Sequence, residues 1–197
     1  LSLFMKDIMF AIPYWKFVLK DWEEKKKKIH TLLEQYPCIK HEGQNFLTNR
    51  RLPPGSADVF LKECLNLFSK TLNEFSNEVK TNLEISKAFA TAYDKGHEQI
   101  LHNHGKALFT AMIYVDLDPT DHSPTIYKQP FNQFDSANVC FLKLKTTEGD
   151  MIIVPSSIEH FSPVNNSSKR KTVIALDLIF GENLKNKLKK NRVLAND

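Results

Sequence analysis

The chain has 197 residues, of which 42% are hydrophobic and 25% are charged. This length suffices for one well-packed domain and leaves little room for two. The composition is typical of a globular protein and argues against a disordered or a membrane protein. The net charge is +4, but much of the excess lies in residues 25–28 and in the C-terminal tail. Because the rest of the chain is not basic, we expect solvated lysines and no nucleic-acid surface.

The spacing of the cysteines and the apolar start of the chain indicate the cellular compartment in which the protein is expected. Cys38, Cys64 and Cys140 are widely spaced and form no Cys-x-x-Cys pair, which is typical of reduced thiols in a cytoplasmic protein. The apolar stretch at residues 5–19 is interrupted by charges and by Pro13. We therefore expect neither a membrane span nor a cleaved signal peptide.

The first third of the chain predicts one strand and two helices. Residues 8–19 favour a strand kinked at a proline, and Asp21 with Glu24 resembles a capping box at the start of a short helix. Residues 38–55 are loop-like, after which Ser56 can cap a long helix that covers a sheet. The apolar positions of that helix are Phe60, Cys64, Leu67, Phe68, Leu72, Phe75 and Val79.

From residue 86 onward, short apolar runs alternate with turn residues, which predicts an antiparallel β sandwich or barrel with helices outside. We expect a single domain, 1–197, in which residues 1–85 form an N-terminal strand and buttressing helices. Residues 86–180 would form the β core and 181–197 a basic tail. The strand-like runs are residues 86–93, 107–117, 139–144, 151–154 and 172–180.

Three histidines have a spacing suited to a metal site. His102 and His104 flank Asn103, and His160 follows the apolar run that ends at Pro155. Side chains two residues apart on an extended segment share a face, so a histidine that closes a later strand could meet the pair. Neutral imidazole binds iron, zinc, copper or nickel. We therefore predict a divalent transition metal bound by His102, His104 and His160.

Arg170 and Thr172 begin the last apolar strand and share one of its faces. If that face is the interior of the barrel, burying the guanidinium is costly unless an anion neutralises it. A planar fork of donors suits a carboxylate, and a neighbouring hydroxyl adds a hydrogen bond. We expect a small dicarboxylate beside the metal. The alternative is a solvent-facing Arg170 in the basic turn at residues 168–171.

These motifs follow one another in a characteristic order that covers residues 86–180. The series resembles that of the iron(II)- and 2-oxoglutarate-dependent oxygenases, in particular the oxygenases related to prolyl hydroxylases that are common in phages and bacteria. The ordered series is more specific than any one of its members. It comprises Tyr93-x-x-Gly96, His102-x-His104, the strand from Phe109 to Val115, Gly149-Asp150, Pro155-Ser156, His160 and Arg170-x-Thr172.

The resemblance implies a mostly β fold with flanking helices: a double-stranded β-helix, the jelly roll of cupin-like barrels. It also implies Fe(II) and 2-oxoglutarate as cofactors, with no catalytic residue beyond the metal centre. His102 and His160 would be iron ligands. Arg170, assisted by Thr172, would bind the distal carboxylate of 2-oxoglutarate.

Two tyrosines are further candidates for cofactor binding. Tyr114 falls where relatives often place a tyrosine that hydrogen-bonds the same carboxylate, and Tyr93 is the weaker candidate of the two. For both, an aromatic ring packed in the core is the alternative.

One position departs from the family pattern. Most of these enzymes have Asp or Glu two residues after the first histidine, whereas this chain has His104. Either the metal has three histidine ligands, or His104 lies nearby without binding. An imidazole removes one negative charge from around the metal, so the affinity and the redox potential should differ from those of the carboxylate form.

The resemblance implies a dioxygenase that hydroxylates a small-molecule or peptidyl substrate with dioxygen and converts 2-oxoglutarate to succinate. It would act in the cytoplasm, that of the host if the gene belongs to a phage. One alternative is a cupin-like three-histidine metalloenzyme without 2-oxoglutarate, although the glutamate that usually follows the cupin His-x-His is missing. The other is a non-catalytic jelly-roll binding module. The sequence predicts neither the substrate nor the oligomeric state.

Overall fold

The computed structural model describes residues 11–131 and 138–182. In those ranges the chain forms two helices, α1 (Trp22–Gln35) and α2 (Pro54–Glu78). The strands are β1 (Trp15–Val18), β2 (Ile39–Lys40), β3 (Leu47–Thr48), β4 (Leu83–Tyr93), β5 (Gln99–His102), β6 (Phe109–Asp116), β7 (Ile126–Lys128), β8 (Phe141–Lys143), β9 (Asp150–Pro155), β10 (His160–Ser162) and β11 (Lys171–Phe180). Apart from Gly181 and Glu182, the predicted basic tail lies outside the described residues.

The strands form two antiparallel sheets. The larger has seven strands in the order β1-β9-β6-β11-β4-β3-β2, and the smaller has four in the order β5-β10-β7-β8. An apolar cluster lies between them, with Met112 and Ile152 from the larger sheet packed against Tyr127 from the smaller. This arrangement confirms the predicted mostly β fold with flanking helices and its jelly-roll architecture.

The two helices cover the outer face of the larger sheet. The buried side chains of α2 recur every three or four residues, which places them on one stripe. They pack with apolar residues of β6, β9 and β11 into a second cluster. The helix begins at Pro54, two residues before the predicted cap, because proline is well suited to the first helical turn, where its missing N–H is not needed. The buried residues of the stripe are Phe60, Cys64, Phe68, Leu72 and Phe75. Within the described residues, neither helix combines the length and the apolar character needed to cross a membrane.

The predicted capping box at the start of α1 does not form. Asp21 has φ 54° and makes no side-chain cap hydrogen bond, whereas a capping side chain requires an extended backbone. The adjacent Trp22 instead fixes the start of the helix. Its indole Nε1 donates a hydrogen bond to Glu148 Oε1 at 3.1 Å, and its ring lies against Gly149.

Several short strands were not predicted from the sequence. The predicted loop at residues 38–55 contains β2 and β3, and the predicted strands also lacked β5, β7 and β10 of the smaller sheet, which have only three or four residues each. Such runs are too short to display a period of two. Their backbone hydrogen bonds to neighbouring strands define them instead.

Gly149 is a position at which a side chain should destabilise the fold. Its φ is +81°, and a Cβ there would lie 3.0 Å from the Trp22 ring. Gly149→Ala should therefore lower the free energy of unfolding in urea by more than the about 1–2 kcal/mol expected for the left-handed backbone alone. Gly43→Ala is the matched control, since Gly43 has φ +74° with open space around it. Equal losses in the two variants would show that the contact with Trp22 is unimportant.

Candidate metal centre

Strand pairing brings the three predicted histidines together. His160 on β10 lies opposite His102 on β5, and His104 follows two residues after the end of β5. The ring centroids of His102 and His160 are 4.5 Å apart, and those of His104 and His160 are 5.3 Å apart. One ring nitrogen from each residue lies within 4.8 Å of the other two. The three imidazoles thus form one cluster in which a ring nitrogen of each could reach a common metal ion.

Hydrogen bonds fix the orientation of each ring. Nδ1 of His102 lies 2.8 Å from the carbonyl of Ile100, and Nδ1 of His160 lies 3.0 Å from the carbonyl of Ile158. A carbonyl only accepts, so each Nδ1 carries the proton and donates it, which leaves Nε2 unprotonated in the neutral ring. Both rings therefore present a lone pair, the form in which imidazole binds a metal.

Burial keeps two of the rings neutral. His160 is 4% exposed, and its burial, reinforced by the neighbouring imidazoles, lowers the pKa of His160 to about 3. Burial also lowers the pKa of His102. Because protons do not compete for these rings near neutral pH, they are available as ligands.

The third ring has a different partner. Nδ1 of His104 lies 2.5 Å from Oδ1 of Asp177, and both side chains are largely buried. Asp177 is on β11, next to the register shift between Asp177 and Leu178. Asp177 was not predicted as a site residue, and nothing in the local sequence signals it, since 73 residues separate it from His104.

The structure contradicts the expectation that Arg170 faces the barrel interior. Its guanidinium is about half exposed and forms a two-pronged ion pair with Asp94, with Nε–Oδ1 at 2.6 Å and Nη2–Oδ2 at 2.9 Å. The arginine lowers the pKa of the Asp94 carboxyl. The alternative, a solvent-facing Arg170, is the arrangement observed. Thr172 is buried on the same, outer side of the sheet, since the alternate residues Val173 and Ala175 line the interior.

Lys171 occupies the interior position that was expected for Arg170. It is 2% exposed, and its Nζ donates to Ser162 Oγ at 2.5 Å and to the Ser123 carbonyl at 3.0 Å. No carboxylate lies within ion-pair distance of this ammonium group in the described part of the chain. Burial lowers the pKa of Lys171 to about 8. The interior thus contains a cation without an anionic partner, an arrangement that costs stability unless a ligand supplies the anion.

The two candidate tyrosines both point into the interior. The Tyr93 hydroxyl donates to Gln99 Oε1 at 2.6 Å, and its ring lies 4.6 Å from Lys171 Nζ. Gln99 in turn contacts His102 Nε2 at 3.2 Å, so Tyr93 links the lysine to the histidines. The Tyr114 hydroxyl is buried and makes no hydrogen bond of acceptable geometry, although Thr125 lies near it. An unsatisfied buried hydroxyl is available to a ligand.

The histidines line a small cavity that carries no acidic side chain. Ser162, which accepts the hydrogen bond from Lys171, belongs to the same cavity, as does Thr125 near Tyr114. An apolar cavity of about 300 Å³ lies nearby and is lined in part by Tyr127, whose ring centroid is 6.0 Å from that of His160. The three imidazoles fit a divalent metal, and the buried ammonium fits an anionic ligand.

Comparisons with known proteins identify the architecture. No protein-family model and no curated protein matches the sequence, but solved structures do match. HygX from Streptomyces hygroscopicus, solved with nickel, 2-oxoglutarate and hygromycin B, superposes with a TM-score of 0.65 at 14% identity, covering 87% of this chain and 84% of that one.

Two other similar structures are named for different reactions. The α-ketoglutarate-dependent epimerase SnoN from nogalamycin biosynthesis gives a TM-score of 0.66 at 10% identity, covering 86% of this chain and 78% of that one. The viral collagen prolyl hydroxylase of Paramecium bursaria Chlorella virus-1, in complex with 2-oxoglutarate, gives a TM-score of 0.58 at 15% identity, covering 84% and 94%. This chain therefore has the double-stranded β-helix fold of the 2-oxoglutarate- and iron(II)-dependent oxygenases.

Proposed function

We propose that the protein is an iron(II)- and 2-oxoglutarate-dependent dioxygenase with His102, His104 and His160 as metal ligands. The proximity of the three imidazoles, with one ring nitrogen of each within 4.8 Å of the other two, is the observation that carries this proposal. The structural relatives share the fold and, according to their names, the cofactor, but one is a hydroxylase and another an epimerase. Hydroxylation of a small molecule or a peptidyl side chain is the reaction we propose for this chain.

We further propose that Lys171, in place of Arg170, binds the distal carboxylate of 2-oxoglutarate. A carboxylate would neutralise the buried ammonium and replace its hydrogen bond to the neutral Ser162 hydroxyl with a hydrogen-bonded ion pair. The Tyr114 hydroxyl would donate a second hydrogen bond, and the Tyr93 ring would hold the ammonium through a cation–π contact. Thr172 lies on the outer side of the sheet, so it has no part in this proposal.

The roles of the protein groups follow from their positions. When bound, iron(II) and 2-oxoglutarate would supply the oxidation, in which dioxygen converts 2-oxoglutarate to succinate and carbon dioxide and hydroxylates the substrate. His102, His104 and His160 would hold the metal. Lys171 orients the cosubstrate, and the surrounding apolar residues exclude water.

Anaerobic reconstitution tests the cofactor assignment directly. We expect the protein to bind Fe(II) and, on addition of 2-oxoglutarate, to develop a metal-to-ligand absorption band in visible light. Admission of oxygen should then yield succinate. If iron binds but neither the band nor succinate appears, the cupin-like alternative without 2-oxoglutarate replaces this proposal. A protein that binds no metal would favour the non-catalytic binding module.

Lys171 and the adjacent Arg170 provide a test variant and a matched control for the cosubstrate site. Lys171→Ala should weaken 2-oxoglutarate binding to the nickel-loaded protein by about 10- to 150-fold, since it removes a charge-assisted hydrogen bond worth about 1.5–3 kcal/mol. Arg170→Ala should leave the dissociation constant unchanged, because its guanidinium faces solvent. Calorimetric titration distinguishes the two variants. The reverse pattern would restore Arg170 as the binding residue.

The proposal also predicts how cosubstrate binding depends on pH. With the pKa of Lys171 at about 8, the ammonium form binds the carboxylate and is lost as the pH rises. The dissociation constant of 2-oxoglutarate should be flat below about pH 7 and should rise about tenfold per pH unit above about pH 8. Lys171→Arg should abolish this rise, because a guanidinium stays charged over that range. A pH dependence that persists in the arginine variant would assign the titration to another group.

A further inference from the structure

We propose that Asp177 is a charge-donating positioning residue: through His104, it supplies the negative charge that a directly bound carboxylate gives the metal in most members of this fold family. This inference rests on the proposed metal site. The structure supports it by the contact between His104 Nδ1 and Asp177 Oδ1 at 2.5 Å, in which both side chains are at most 10% exposed.

The three histidines differ in the group that their Nδ1 atom contacts. The Nδ1 atoms of His102 and His160 donate to backbone carbonyls, which carry no net charge. Among the described residues, His104 is the one of the three whose Nδ1 contacts a carboxylate. A ligand set of three neutral imidazoles would leave the full charge of a divalent ion in the interior, whereas the pair His104–Asp177 brings one formal negative charge to it.

The carboxylate itself needs a counter-charge. Asp177 is 7% exposed, and its only ion-pair partner in the described ranges is His104. A buried carboxylate is costly to keep charged unless a cation compensates it. A divalent ion bound to Nε2 of His104 would compensate it through the imidazole ring. A carboxylate behind a metal-bound histidine also fixes the ring and makes it a stronger donor.

The position of Asp177 in the fold makes this contact rigid. Asp177 is opposite Thr110 on β6 and Lys87 on β4, so β11 is held from both sides at this point. His104 is held by its own backbone, which donates to the Ser156 carbonyl at 3.0 Å, and by its ring, which stacks on Phe89. The aspartate therefore meets the imidazole between two supported segments of backbone.

Asp177→Asn tests the proposal because it keeps the shape and the acceptor oxygen but removes the charge. We expect the variant to bind Mn(II) and Fe(II) about 10- to 100-fold more weakly than the wild type. We also expect a higher Fe(III)/Fe(II) potential, since the lost negative charge stabilises the ferric ion more. Ser86→Ala is the control: the Ser86 hydroxyl donates to the Asp177 carbonyl, so its loss perturbs the same residue without changing charge.

A second variant moves the charge onto the metal itself. In His104→Asp/Asp177→Asn the carboxylate returns to the position that the family pattern favours, and the metal affinity and potential should shift back toward the wild-type values. If Asp177→Asn does not fold, Asp177→Ser replaces it with the same expectations. Affinity and potential equal to those of the wild type in the single variant, or a double variant that shows no recovery, would overturn the proposal. A wild-type protein that binds neither metal would instead refute the proposed function.

Discussion

The alternation of side chains along β11 is the constraint on which the candidate site depends. Lys171 and Asp177 are six residues apart, an even number, so both side chains face the interior of the barrel. Val173 and Ala175, between them, line the same cavity as the histidines. The intervening residues Ile174 and Leu176 pack in the cluster beneath the helices. One face of β11 thus contributes to the hydrophobic core, and the other faces the candidate site.

The interior carries two opposite charges in separate places. The Asp177 carboxylate is held at His104, and the Lys171 ammonium is held at Ser162 and above the Tyr93 ring. Among the described residues, Asp177 pairs with no lysine or arginine and Lys171 with no carboxylate, and burying such charges costs free energy in a protein interior. A metal cation at the first and a carboxylate at the second would remove both costs. The bound cofactors would then stabilise the folded protein as well as supply its reactivity.

Fold and reaction are separable in this architecture. The similar structures include a hydroxylase, an epimerase and a carbocyclase by name, so one β framework supports different reactions. In this chain the surroundings differ from the common pattern at His104. The buried pair with Asp177 is the feature that accompanies that difference.

The sequence by itself determined the three candidate histidines, the long covering helix and the sandwich of short strands, because a local pattern signals each: His-x-His, apolar spacing of three or four, and apolar runs between turns. Only the tertiary structure decided which residue of the basic turn enters the barrel. A shift of one residue in register exchanges the two faces of a strand, and the turn before β11 puts Lys171 inside and Arg170 outside. The contact between Asp177 and His104 could not be predicted from the sequence either. It joins residues far apart in the chain through strand pairing that no local pattern encodes.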